Sequence, residues 1–278
     1  MNAGHPQNAD QIAYWNGPGG QRWATRQAAQ DIVLQPVLDL LIDRAAPKAG
    51  ERVVDVGCGS GASSFALAAK VAPAGHVLGV DVSEPMLTRA RQSAPQGLPV
   101  EFALADATVY PFVGESFDLL ASRFGVMFFA DPVVSFANLR KAMKPTGRLA
   151  FACWQEPREN PFFMTPLAAV YKHVPKLPPL GPEDPGPFAF ASEARVKRIL
   201  GEAGFSGIAM EPCRLELDVA TGRGIDAAIQ GALEIGRPAA RWKGTRMTCA
   251  PLRSPRCARR WRRLSRAMRC CCPARSGS

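Results

Sequence analysis

An α/β fold, built on a doubly wound, mostly parallel sheet of the Rossmann-like kind with helices on both faces, is predicted for this 278-residue chain by three observations. Short apolar runs alternate with helix-period segments from Glu51 to Trp154. A glycine-rich turn, "GCGSG", follows the first run, and acids close the first three: Asp55, Asp81 and Asp106. Strands separated by helices of this length pair in parallel through right-handed crossovers, so the strands' carboxyl ends gather at one edge, where ligands are expected.

Each element follows from local pattern. Residues 27 to 46 place Ile32, Val33, Val37, Leu40 and Leu41 at the three-and-four spacing of an amphipathic helix, with Pro36 a kink point. "PKAG" ends it, and "ERVVDV" is the first strand. "ASSFALAAKVA" reads as a helix, "GHVLGVDV" as the second strand, and "SEPMLTRARQSA" as a helix with Ser83 as N-cap and Pro85 in its first turn. Strands "PVEFALAD" and "SFDLLASRF", helix "DPVVSFANLRKAMK", a "PTG" turn and strand "RLAFACW" complete the alternation. From Gln155 to about residue 192 proline density rules out a long regular element, which predicts a cap insertion with one helix near Phe162 to His173. Helix "SEARVKRILGEAG", strand-like "FSGIAMEPCRLEL" and helix "GIDAAIQGALEIG" follow.

Charge is unevenly distributed. The formal net charge is +10, yet Ile235 to Ser278 holds 12 Arg and one Lys with no acid, a charge of +13, so residues 1 to 234 carry −3. Five of the eight cysteines (Cys249, Cys257, Cys270, Cys271, Cys272) lie in that tail. Cys58, Cys153 and Cys213 are too scattered for a disulfide framework or a zinc site, so no metal is expected. "MNAGHPQNADQIAYW" has neither the basic start nor the apolar run of a signal peptide, and no segment offers 18 uninterrupted apolar residues; a cytoplasmic protein without a membrane span is expected.

The glycines admit two cofactors. Gly57-x-Gly59-x-x-Ala62 matches a dinucleotide fingerprint, whereas Asp55-x-Gly57-x-Gly59-x-Gly61 matches the loop that holds S-adenosylmethionine. Both use a tight glycine turn to bring backbone N–H groups and a helix N-terminus close to the ligand. Asp55 decides between them: it would repel a pyrophosphate, but beside a cationic sulfonium with a free amino group it is favourable. Asp81 at the second strand's end can accept ribose hydroxyls in either class. Asp106 ends the third strand with an acid able to accept from an adenine amino group.

With "VVDVGCGSG", "GVDVSEPML", "ADAT", "SFDLLASRFGVMFF" and "MKPTGRLAF" in this order, the chain resembles the class I S-adenosylmethionine-dependent methyltransferases, in the small-molecule branch typified by ubiquinone and menaquinone biosynthesis, from about Asn8 to Gly236. The resemblance implies that Asp55 and the loop Gly57, Cys58, Gly59 and Gly61 hold the methionine portion. It puts Asp81 and Val82 at the ribose, Met86 against an adenine face, and Asp106 with Ala107 at the adenine edge. Ser122, Arg123 and Phe124 would lie beneath the methyl group. Tyr14, Trp15 and Trp23 would form a lid, and Trp154, Phe162 and Phe163 would join Phe124 around a small, partly apolar acceptor under the cap.

Methyl transfer from a sulfonium needs alignment and water exclusion more than a dedicated base. Should one be needed, His173 in the cap and Cys153 at the end of the fifth strand are the candidates by location; His5, in a loose terminus, and His76, at a strand start away from the site, are weaker ones. Nucleic acid is disfavoured as acceptor: "SRFG" stands where an exocyclic-amine methylase carries an Asp/Asn-Pro-Pro-aromatic run, the lone Pro-Cys pair (Pro212-Cys213) falls too late, and the body shows no basic stripe interleaved with aromatics.

Residues 1–236 are thus expected to form the methyltransferase domain, with the cap at about 155–192, and 237–278 a poorly ordered Arg/Cys-rich tail. In the resembling family this region supplies a helix and a final antiparallel strand beside the fifth. Here no strand alternation is evident, and the final strand is expected to be missing. "CCC" is what repeated CTG leucine codons give one base out of register, so a frameshift near Arg237 to Arg246 would leave a cofactor-binding but catalytically impaired protein. A basic arm for nucleic acid is the competing expectation.

Overall fold

The computed structural model describes residues 4–172, 175–176, 181, 183–218, 224 and 265–276. Three helices open the chain: α1 (Ala9–Asn16), α2 (Pro18–Thr25) and α3 (Gln27–Ala45). The core then alternates β1 (Arg52–Val56), α4 (Ala62–Val71), β2 (His76–Asp81), α5 (Glu84–Ser93), β3 (Val100–Leu104), β4 (Phe117–Arg123), α6 (Pro132–Ala142) and β5 (Met143–Trp154). After the cap helix α7 (Pro161–Val170) come α8 (Glu193–Glu202), β6 (Phe205–Ser206), β7 (Ala209–Glu216) and β8 (Ser265–Ser276).

The strands form one sheet in the order β3-β2-β1-β4-β5-β8-β6, with β7 also paired to β8. β3 through β5 run parallel, as the alternating sequence requires. On β1, Val53 and Val54 point into two different apolar clusters, the expected result of period-two side chains in a sheet covered on both faces. Helix α3 buries Val33, Leu34, Val37, Leu38 and Leu41, with Pro36 inside it, and packs on β4 and β5.

Two expectations need correction. The "PTG" turn is absorbed into β5: Met143 pairs with Phe117 and Arg148 with Leu119 across an irregularity in register, so the strand passes through Pro145 rather than starting after it. The final antiparallel strand is present, because the Arg/Cys-rich tail supplies it: β8 lies antiparallel to β5, Phe151 opposite Cys271 and Trp154 opposite Met268. Its other edge takes β7, Ala209 opposite Cys272 through Glu216 opposite Ser265. Backbone pairing on both sides makes this strand without an alternating pattern. Pro273, foreign to a central strand, sits where Ala150 alone faces two residues between the Leu149–Ala274 and Phe151–Cys271 pairs, a bulge that absorbs it.

Candidate cofactor and acceptor site

The carboxyl ends of β1, β2 and β4 meet at the glycine turn. Gly57 (φ 67°) and Gly59 (φ 57°) adopt left-handed backbone. A Cβ on Gly57 would collide with the backbone of Gly125 in the loop after β4, and one on Gly59 would stand 2.7 Å from Met86 Cε. The spacing of these glycines therefore answers both to backbone handedness and to the approach of neighbouring chain. Phe124 also has a positive φ, 72°, at the end of β4, an uncommon conformation for a bulky residue and of the kind that clusters at binding sites.

Asp55 is fully buried. Ser63 and Ser64, in the first turn of α4, each donate to its Oδ2 at 2.7 Å. Its Oδ1 has no hydrogen-bond partner among the described residues. Burial pushes its carboxyl up, against the two serine hydroxyls and the attraction of Arg123, which favour the ionised form. A buried carboxylate oxygen left unpaired is costly unless a cation or donor arrives. Ser60 Oγ in the same turn is likewise buried without a partner among the described residues.

Asp81 accepts Gly59 N–H on Oδ2 and Ser83 N–H on Oδ1, both at 2.8 Å. Burial drives its carboxyl up to about 6, with those N–H groups pulling the other way. Cys58, buried in the turn, has its thiol held well above the ordinary range by burial and by the negative charge of Asp81 and Asp55, so it is an inert packing group.

Asp106 is tied to the N-terminal segment. Its Oδ1 accepts Thr108 N–H at 2.9 Å; its Oδ2 accepts the Asn8 side-chain amide at 2.7 Å and His5 N–H at 2.9 Å. His5 thus lies against the site and not in a loose terminus. Asn16 in α1 clamps the far side, donating to Val82 C=O at 2.7 Å and accepting Glu84 N–H at 3.0 Å. Ser83 precedes α5 as expected, but its hydroxyl does not cap the helix; it donates to Trp15 C=O at 2.7 Å. Neither Asn8 nor Asn16 is marked by the sequence: an asparagine within a helical segment carries no signal of a partner 66 to 122 positions away.

Met86 and Ala107 are buried beside the turn and Asp106 respectively. The Ser122 hydroxyl is a staple between strand and loop: it donates to Val56 C=O at 2.7 Å and accepts Gly125 N–H at 3.1 Å and Val126 N–H at 3.3 Å, which exhausts it. Phe124 stacks on Trp154 with centroids 4.5 Å apart and planes 8° off parallel, and Phe163 meets Trp154 edge-on at 5.1 Å. Trp15 bridges Tyr14, Trp23 and Phe128 in edge-to-face contacts. Phe162 lies in α7, its side chain outside what is described, and His173 falls outside the described residues. Cys153 is not placed as a base, since it is fully buried in the core with its thiol donating to Phe190 C=O at 3.5 Å. His76 opens β2, at the end of the strand remote from the turn. Among the described residues no group of His, Cys, Asp or Glu could hold a metal ion, and no helix is long and apolar enough to cross a membrane.

A parallel sheet in 3-2-1-4-5 order with a glycine turn after β1 and acids ending β1 and β2 defines a Rossmann-like nucleotide-cofactor fold. Residues 53–147 match the family model described as a methyltransferase domain. The chain is 31% identical over 174 residues to the demethylmenaquinone methyltransferase of Thermus thermophilus, an alignment covering 59% of this chain and 79% of that protein. It is 38% identical over 113 residues to the aklanonic acid methyltransferase DauC of Streptomyces sp. strain C5, covering 40% of this chain and 51% of that one. The chain belongs to the class I S-adenosylmethionine-dependent methyltransferase family. With several of its curated relatives, the match spans only about half of the relative's length or less.

Solved structures support the fold. Phosphoethanolamine N-methyltransferase 2 of Haemonchus contortus, bound to phosphomonomethylethanolamine and S-adenosylhomocysteine, superposes with a TM-score of 0.58 at 16% identity, over 95% of this chain and 59% of that one. The [4+2]-cyclase SpnF does so with a TM-score of 0.54 at 18% identity, over 87% and 80%. A cyclase on the same fold shows that fold alone does not fix chemistry.

S-Adenosylmethionine fits the residues present. Its amino-acid end carries an ammonium, which matches the Oδ1 of buried Asp55, unpaired among the described residues, while the glycines leave the backbone open to close approach.

Proposed function

We propose that the protein transfers a methyl group from S-adenosylmethionine to a small, partly apolar acceptor held beside the Phe124–Trp154 stack. One observation carries this reading above all: Asp55, wholly buried, keeps a carboxylate oxygen without a donor among the described residues, at the mouth of the glycine turn. A pyrophosphate there would meet a like charge, and an ammonium would meet its counter-ion.

The cofactor supplies an electrophilic methyl on a cationic sulfonium. Asp55 and the turn from Gly57 to Gly61 would hold the methionine portion, Asp81 would accept the ribose hydroxyls, Met86 would lie against an adenine face, and Asp106 with Ala107 would take the adenine edge. The stacked Phe124 and Trp154, with Phe163 on the edge of Trp154, give the acceptor an apolar wall and keep water from the reacting atoms. The lid formed by α1 and α2 would close the opposite side. Alignment and exclusion of water then do most of the catalytic labour, and no side chain is assigned as base. The relatives' printed acceptors, demethylmenaquinone and aklanonic acid, support a small organic molecule over a macromolecule.

Calorimetric titration of the whole chain with S-adenosylhomocysteine, S-adenosylmethionine and NAD, repeated with Asp81→Ala, tests the cofactor assignment. Binding of both adenosyl ligands, none of NAD, and a loss of about tenfold or more in the variant are expected for a carboxylate that accepts two hydroxyls. Binding of NAD alone, or of nothing by folded protein, refutes it.

A further inference from the structure

We propose that Arg123 is the counter-ion for the α-carboxylate of the cofactor's amino-acid end, so that Asp55 and Arg123 form a matched pair for a zwitterion. This rests on the methyltransferase reading above, and it shifts Arg123 from beneath the methyl group, where the family resemblance put it, to the far end of the methionine chain.

The sheet register sets up the pair. Asp55 on β1 lies opposite Ala121 on β4. Arg123 is two residues further along β4, so its side chain leaves the sheet on the same face as Asp55 and nearer the carboxyl edge. The two charges sense each other, since Arg123 is among the influences favouring ionised Asp55. The Arg123 side chain is only 12% exposed, and its one ion pair among the described residues is long, Nη2 to Asp31 Oδ1 of α3 at 3.4 Å. Asp31 is itself shared, accepting the Gln27 amide on its other oxygen at 2.5 Å. Arg123 Nη1 is buried with no hydrogen-bond partner among the described residues.

Two opposite charges on one sheet face, at the ends of adjacent strands, each therefore keep a buried polar atom unpaired among the described residues. Either alone would be a costly defect. Together they complement a ligand bearing an ammonium and a carboxylate on one carbon, and the guanidinium, a planar fork of donors, suits a carboxylate. An acceptor anion is the competing guest for Arg123, but the acceptor side of the site is built from Phe124, Trp154 and Phe163, which favours an apolar molecule there.

Titration of the whole protein with three ligands that differ at this end supplies the test: S-adenosylhomocysteine, its carboxamide, and 5′-methylthioadenosine, which lacks the amino-acid end altogether. Wild type should bind the carboxamide about tenfold more weakly than S-adenosylhomocysteine, as expected when a charge-assisted pair becomes neutral. Arg123→Leu should weaken S-adenosylhomocysteine to a similar degree and leave 5′-methylthioadenosine unchanged, with Arg123→Lys falling between. The carboxamide comparison needs no variant and stands even if Arg123→Leu misfolds. Equal affinity of wild type for acid and carboxamide, or unchanged S-adenosylhomocysteine binding by a folded Arg123→Leu, overturns the proposal and leaves the cofactor assignment intact; the latter result would point to an acceptor anion instead. Failure of wild type to bind either S-adenosylhomocysteine or 5′-methylthioadenosine would bring down both.

Discussion

Asn8 reaches across 98 residues of sequence to place its side-chain amide 2.7 Å from Asp106 Oδ2, in a buried contact at the edge expected to receive adenine. The same amide lies 3.0 Å from Thr108 Oγ1, and its carbonyl oxygen accepts Ala130 N–H at 3.0 Å. One asparagine thus ties the opening segment to the ends of β3 and of the loop before α6. A carboxylate offers about four acceptor positions, and Asp106 uses three for Asn8, His5 and Thr108, so an adenine amino group would join this cluster rather than find a bare acid.

Asn8→Ala removes the amide and leaves Ala130 N–H without its acceptor. Leaving buried polar groups unpaired costs about 1–3 kcal/mol, and that cost should fall on the docking of the first helices more than on the sheet. Hydrogen exchange should rise across α1 and α2 and stay level in β1 and β4, with a several-fold loss of S-adenosylhomocysteine affinity. Uniform exchange across the whole chain would show that Asn8 supports global stability and not the lid.

Asp81 makes ligand binding depend on pH. Its carboxyl is raised to about 6 from 3.8, chiefly by burial. The folded apoprotein therefore holds this proton more tightly than the unfolded chain does, and the contribution of Asp81 to stability declines as pH rises from about 4 to 6. Ribose hydroxyls need the ionised acceptor, so affinity for S-adenosylhomocysteine should be level above about pH 7 and fall toward tenfold per unit well below 6. Asp81→Asn should flatten the profile. A wild-type affinity constant from pH 5 to 8 would contradict this role.

Asp55 separates stability from function. Ser63 and Ser64 can donate to an amide oxygen as they do to Oδ2, so Asp55→Asn keeps those contacts and relieves the burial of a charge. Thermal unfolding of the apoprotein should be unchanged or shifted upward while S-adenosylhomocysteine binding weakens by about tenfold or more. A lower melting temperature with undiminished binding would make Asp55 a structural anchor.

Much of this architecture is legible in the sequence because it is local. Strand and helix periodicity gives β1 through β5 in parallel order, and the positive-φ glycines and strand-end acids mark the turn. Long-range polar contacts are another matter: Asn8 on Asp106, Asn16 on Val82 and the diversion of the Ser83 hydroxyl to Trp15 leave no periodic trace. Ser122 and Cys153 show a related limit, since a position at a strand end suggests the site while the hydrogen bonds of the Ser122 hydroxyl and the Cys153 thiol tie those groups to the scaffold. β8 has no signature in the sequence because a strand paired on both sides draws on backbone hydrogen bonds that composition does not reveal.

That strand also has a consequence for the tail. Removing Ser265–Ser276 would strip β5 of its antiparallel partner and leave both β6 and β7 without the strand they pair with. An unpaired edge on β5, apolar from Leu149 to Trp154, is a template for association with other chains. A chain ending before residue 265 should therefore unfold at lower temperature and elute partly as aggregates. Should the shortened chain elute as the full chain does, with an unchanged melting temperature, β8 would contribute nothing to the sheet.

Gly57 and Gly50 offer a matched comparison of backbone strain with steric approach. Both have positive φ, 67° and 84°. A Cβ on Gly50 would meet nothing within 4 Å, whereas one on Gly57 would run into Gly125. Gly50→Ala should cost only the left-handed penalty of about 1–2 kcal/mol. Gly57→Ala must add displacement of the loop after β4, which also carries Phe124, so its cost should exceed that of Gly50→Ala and S-adenosylhomocysteine affinity should drop with it. Equal losses of stability in the two variants, with binding preserved in both, would mean that the turn tolerates a side chain and that the approach of Gly125 to Gly57 does not set the shape of the site.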